Sequence, residues 1–332
     1  MVGGRKFRSP SQPPKPLNLQ NVFIVQNRRT FLQHSSAAAL GGLVLGPTAL
    51  DFIAKKQHYV PGVQLYTLFA VIDQDTQGTL KKLADIGYKN IESAFSKQGG
   101  YYGKTAPEFA AMLKDMGLTW RSHHVIGAPF KLPPGTKMPT DENGNPIKIP
   151  PMKNLKENMQ ELIDSLAGSG VEYVVCANIP TNTPEEVAEA VQILKKTGEA
   201  CQKAGFKFVY HNHDWEFKTI GTSRPYDVFL KEIPSSLMNF ELDLAWVTKA
   251  GVDPVQLFKE NPGRFPLWHV KDIDQEHLAL KPVGDGSIDF KRIFKYAKKA
   301  GLKYPMVEHD QPADAFDSLS RSMAYLKKNI LR

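Results

Sequence analysis

The chain has 332 residues, 42% hydrophobic and 23% charged, an ordinary globular balance. Its net charge of +8 sits mostly in residues 1–50, where Arg5, Lys6, Arg8, Lys15, Arg28 and Arg29 stand without an acidic residue; the remainder carries 36 basic against 34 acidic side chains. A nucleic-acid binder keeps its positive footprint in the folded part, so nucleic acid is not expected as a partner.

The first predicted element is a leader. Asn27-Arg28-Arg29-Thr30-Phe31-Leu32-Gln33 is a twin-arginine pattern, followed by a short apolar stretch at 37–50 interrupted by Pro47. That stretch is too short to span a bilayer comfortably. A basic region, a short apolar region and small residues predict an export signal over 1–50. The expectation is a periplasmic protein, exported folded by the twin-arginine route, with no stable membrane insertion after processing. Cys176 and Cys201 form no disulfide framework and read as buried thiols.

Residues 57–332 repeat one pattern: helix, glycine, apolar strand. It reads ADIGYKNIES at 84–93, KDMGLTWRSHH at 114–124, AGSGVEYVVCA at 167–177, KAGFKFVYHNH at 203–213 and KAGLKYPMVEH at 299–309. The glycines suit helix ends that need positive φ. Thr183-Pro184-Glu185-Glu186 has the capping residues of a helix start, and 289–301 and 313–330 space their apolar residues helically. Adding strands at 63–68, 239–246 and 265–273 gives eight strands alternating with helices, which predicts one (β/α)8 TIM barrel. A doubly wound sheet would show a glycine-rich loop after its first strand, and QLYTLFAV has none. Residues 133–154 are rich in Pro and Gly and are expected as a loop over the barrel mouth.

Active sites of such barrels lie where strands end. Those ends carry Glu92, then His123 and His124, then His211 and His213, then Asp243, then His269 and Lys271, then Glu308 and Asp310. Alternation puts His211 and His213 on one face of the fifth strand, and likewise pairs Glu241 with Asp243, His269 with Lys271 and Glu308 with Asp310. Ligand-type residues at the ends of four successive strands predict a metal site. The stretch HNH alone would also suit a nuclease motif, and its polar residues could form a plain loop.

Together YHNHDWEF (210–217), ELDLAW (241–246), HVKDID (269–274), GDGSIDF (284–290) and EHD (308–310) resemble the sugar phosphate isomerase/epimerase family of xylose isomerase-like TIM barrels. The resemblance implies one divalent metal, manganese first, with zinc, magnesium or cobalt as alternatives. It implies His211, Asp243, His269 and Glu308 as ligands, with His213 competing on the fifth strand. His124, Glu92 and His123 are expected on the substrate side. Glu308, Lys271 and His213 are the expected catalytic residues. Gly284 and Gly286 are expected to shape the loop before the last helix-and-strand pair.

One departure from the family pattern is a histidine where sugar epimerases place a second glutamate on the fifth strand. A metal-bound histidine is a poor proton acceptor. One-base chemistry beside a carbonyl is therefore expected: isomerisation of a keto sugar, or elimination from a 3-keto-glycoside. The partner is a small sugar or glycoside, with a sugar oxidoreductase as a functional companion. A non-catalytic carbohydrate-binding protein and an endonuclease IV-like enzyme are the rival classes.

Overall fold

The computed structural model describes residues 59–129, 131 and 152–331. The export signal expected at 1–50 lies outside them, as does most of the expected mouth loop at 133–154. No described helix is long and apolar enough to cross a membrane.

Eight parallel strands close into a barrel. In chain order they are β1 (Gly62–Gln64), β2 (Asn90–Ser93), β3 (Thr119–Ile126), β4 (Tyr173–Asn178), β5 (Lys207–His211), β6 (Asn239–Asp243), β7 (Leu267–Val270) and, after a two-stranded hairpin β8 (Asp272–Asp274) and β9 (Ala279–Lys281), β10 (Tyr304–Val307). Each strand pairs with its neighbours in sequence, and β1 closes the ring on β10. This is the expected TIM barrel.

The helices carry the signals read in the sequence. Thr183 caps Pro184–Ala204 by accepting from the Glu186 N–H, and that helix ends on Gly205 at φ 85°. The outward strand faces and the helices share one large apolar core. Inside the barrel a smaller plug of Tyr173, Val175, Val209 and Leu267 fills the lower layer. Two residues further along the same inward faces, apolar gives way to polar: Val209 is followed by His211, and Leu267 by His269 and Lys271. Gly62 lies beside this filling, since a Cβ there would collide with the Met306 sulfur.

Three expected strands stop early, each for a local reason. At 63–68 only β1 forms, because the Gln64 side chain accepts the Tyr66 N–H at 3.0 Å and turns the chain into a 3-10 helix, Leu65–Leu68. At 239–246 the strand ends at Asp243, whose Oδ1 accepts from Ala245 and Trp246 and starts the helix Leu244–Lys249. At 265–273 the strand breaks at Lys271, and the chain departs into the hairpin. The helix expected at 289–301 forms as two pieces, Phe290–Phe294 and Ala297–Ala300.

Candidate metal centre and active site

Strand register assembles the site. His211 lies opposite Glu241, Asp243 opposite His269, and His269 opposite Met306, two residues before Glu308. His269 is the hub. Its Nε2 is 2.6 Å from Glu92 Oε1 and 3.2 Å from Glu241 Oε2; its Nδ1 is 2.7 Å from Glu308 Oε2 and 3.8 Å from Asp243 Oδ2. His124 lies parallel to it, ring centres 5.3 Å apart, with its Nε2 at 2.8 Å from Glu241 and 3.1 Å from Glu92. His211 Nδ1 is 3.2 Å from the same Glu241 oxygen. Beyond β7, the Lys271 ammonium meets Glu308 at 2.6 Å, Asp310 at 3.0 Å and Asp243 at 3.2 Å.

Glu92, Glu241, Asp243 and Glu308 are all buried, as are His211, His269 and Lys271. Burial raises a carboxyl's pKa, and nearby cations lower it. At Glu308 the Lys271 and His269 charges outweigh burial and hold the carboxyl well below its usual range. At Glu241 burial and the Glu92 charge prevail, and its pKa is raised, while His124 and His269 keep Glu92 low. Burial disfavours charge on His124, yet the Glu92 and Glu241 carboxylates lift it to about 9. Lys271 is raised well above its ordinary value, its three carboxylates overriding burial.

The donor set fits a divalent cation. Glu92 Oε2 and Glu241 Oε1 are buried with no hydrogen-bond partner in the chain, and Asp243 Oδ2, also buried, has the Lys271 ammonium at 3.2 Å as its nearest cation. Two groupings of ligand atoms lie within 4.8 Å of one another: His124, His211, Glu241 and His269, and Asp243, His269 and Glu308. His269 belongs to both. The four expected ligands are thus neighbours, but the fold divides them between two niches, with Lys271 against the one built from Asp243 and Glu308.

Above the cluster opens a cavity of about 800 Å³. Its polar lining includes His124, His211, His213, Lys271, Glu308 and Asp310, so the three expected catalytic residues face one space. His213 stands outside both metal groupings. Its ring lies flat on Trp215 at 4.0 Å, its backbone N–H is held by Glu216, and its Nδ1 has no hydrogen-bond partner. Glu92 sits beneath the cavity, as a support for His124 and His269. His123 is a correction: alternation turns it outward, where its Nδ1 meets Ser93 Oγ at 2.7 Å and its ring packs on Tyr101.

Glu241 joins the site without having been among the expected site residues. Its signal was present, two positions before Asp243 on the same face. Asn212, on the opposite face from His211, accepts the Asp243 N–H and so positions that residue. Asp272 gathers four backbone N–H groups, from Ile273, Gly284, Gly286 and Ile288, and thereby builds the GDGSIDF loop.

Fold and site together define a (β/α)8 barrel with an acid–histidine cluster at the C-terminal ends of its strands. Residues 80–329 match the xylose isomerase-like TIM barrel family, and the chain belongs to it. It is 27% identical to an inosose dehydratase of Clostridium botulinum, over 41% of this chain and 52% of that protein. The chain therefore spans about half the length of that curated relative. An inosose dehydratase of Geobacillus kaustophilus is 22% identical over 65% of this chain and 73% of its own. A solved sugar phosphate isomerase/epimerase from Parabacteroides distasonis superposes with a TM-score of 0.65 at 26% identity, covering 84% of this chain and 96% of that one. The structure of an L-ribulose 3-epimerase shares the fold, with a TM-score of 0.59 at 16% identity over 81% and 94% of the two chains.

Proposed function

We propose that the chain is a divalent-metal-dependent enzyme that removes a proton beside the carbonyl of a keto sugar or keto-glycoside. One observation carries this reading: four buried carboxylates, three histidines and Lys271 converge at the floor of a cavity that also exposes His213. Dehydratases and isomerase/epimerases are the relatives by name, and loss of a proton beside a carbonyl opens both reactions on a ketone.

Asp243, His269 and Glu308 would hold the metal, and His211, which groups with His124 and Glu241 around the same His269, would join them as fourth ligand only by moving from that neighbouring niche. When bound, the metal supplies Lewis acidity toward the substrate's oxygens. Manganese is the first choice. Glu308 is a poor candidate for the base, because its Oε2 is already taken by Lys271 at 2.6 Å and His269 at 2.7 Å and its carboxylate would be committed to the metal. The proton-accepting role falls to His213, whose ring lines the cavity while its Nδ1 is buried 3.8 Å from Glu216 Oε1, which leaves Nε2 as the nitrogen for the substrate. Lys271 keeps its proton and faces negative charge developing on a substrate oxygen. One base on one side of the substrate supports elimination or isomerisation over two-base epimerisation.

The leader's twin-arginine pattern supports export and a periplasmic location, and with it a free sugar or glycoside rather than a sugar phosphate. A keto-glycoside has to be made by oxidising a hydroxyl, so a sugar oxidoreductase would supply the substrate.

The test is hydrogen exchange in D2O. Metal-loaded protein should place deuterium beside the carbonyl of inosose or a 3-keto-glucoside. The His213→Asn variant should lose at least about 100-fold in rate with its metal retained. Asp243→Asn should lose the metal itself. Full exchange by His213→Asn, or metal loss in Glu241→Gln but not in Asp243→Asn, would overturn these assignments.

A further inference from the structure

The cavity of about 800 Å³ has two unlike walls. Its floor is the polar cluster. Its rim, on the β1 and β2 side, is aromatic. The Phe69 ring centre lies 5.4 Å from that of Tyr66 and 6.2 Å from that of Phe95. The Lys97 ammonium stands 4.2 Å from the Phe69 ring centre. Phe95 is 38% exposed, one of three large apolar side chains so open among the described residues, and of those three it alone lines the cavity.

The rim is held in place. Asp73, beyond β1, accepts the Ser96 hydroxyl at 2.6 Å and the Lys97 N–H at 2.8 Å, and its carbonyl accepts the Gln98 amide. The loops after β1 and β2 are thereby tied across the base of the aromatic strip. A preorganised surface loses little entropy on binding, and a water-facing aromatic strip continuous with a polar floor suits the flat face of a ring.

We infer that this rim is a second subsite, and that the substrate carries two rings: one on the polar floor and a second, a sugar or an aryl group, lying on Phe69 and Phe95. This rests on the sugar reading of the floor given above. Tyr66 continues the strip downward, and Lys97 offers its ammonium to hydroxyl oxygens of the outer ring.

Calorimetric titration of the metal-loaded protein with glucose, cellobiose and phenyl glucoside tests it. At least one two-ring probe should bind about tenfold more tightly than glucose, equivalent to about 1.4 kcal/mol. Cellobiose alone gaining assigns the outer place to a sugar ring; phenyl glucoside alone gaining assigns it to an aryl ring. Phe95→Ala, at an exposed position, and Phe69→Ala should each shrink the advantage and leave glucose affinity unchanged. Equal binding of all three probes, no binding of any, or an advantage surviving both substitutions would overturn the inference. A two-ring advantage without hydrogen exchange on any keto sugar would sink the proposed reaction and leave the subsite standing.

Discussion

His123 and His124 show how adjacent residues of one type take opposite parts. His124 turns inward between Glu92 and Glu241, which lift its pKa to about 9. His123 turns outward, where burial first and the His124 charge second lower it to about 3 from an ordinary 6.5. The sign of the consequence follows from proton uptake. Between pH 6.5 and 3 the unfolded chain takes a proton at His123 that the folded chain refuses, so stability tied to this ring is full above pH 6.5 and drains as pH falls. His123→Gln should therefore flatten the acid side of the stability curve relative to wild type, read as urea midpoints across that range. Parallel curves would mean that the ring protonates freely in the fold.

At the scale of elements, the loop after the hairpin hangs on a single side chain. Asp272 accepts from Gly284 at 2.8 Å, Ile273 at 2.9 Å, Gly286 at 3.1 Å and Ile288 at 3.2 Å. A Cβ on Gly286 would collide with the Asp272 carboxylate. Asp272→Ala should cost about 3 kcal/mol, the rough worth of losing charged hydrogen bonds and stranding their donors, measured by urea unfolding. Gly286→Ala should cost a comparable amount. An unchanged midpoint in both would show that the loop holds its shape without this anchor. The same region marks what the sequence could and could not disclose. Strand ends and inward alternation were legible because burial imposes a period of two, and this placed His211, Asp243, His269 and Glu308 near one another. The hairpin was not legible, since its three-residue strands are too short to display a period. Glu241 escaped for a different reason: a carboxylate one turn of the pleat below a ligand reads as redundant until the barrel's depth is known.

For the whole molecule, charge is placed unevenly along the chain. The barrel is close to neutral and the first fifty residues hold the excess. On the proposed export reading, replacing Arg28-Arg29 by Lys-Lys should strand the protein in the cytoplasm, followed by cell fractionation and immunoblotting, with barrel stability unchanged; equal periplasmic yield would show that export does not depend on the pair, and wild-type protein confined to the cytoplasm would restore sugar phosphates as substrates. Within the barrel, the bonds of His269 reach Glu92 from β2 on one side and Glu308 beyond β10 on the other. Those strands lie on either side of β1, the short staff through which the ring closes. The imidazole therefore spans the seam from within, as a strut spans a hoop. Selection acting on chemistry at this residue acts equally on whether the hoop stays shut, so variants that lose function here are expected to be recovered from cells in reduced amount, and separating the two effects requires measuring abundance and turnover in the same preparation.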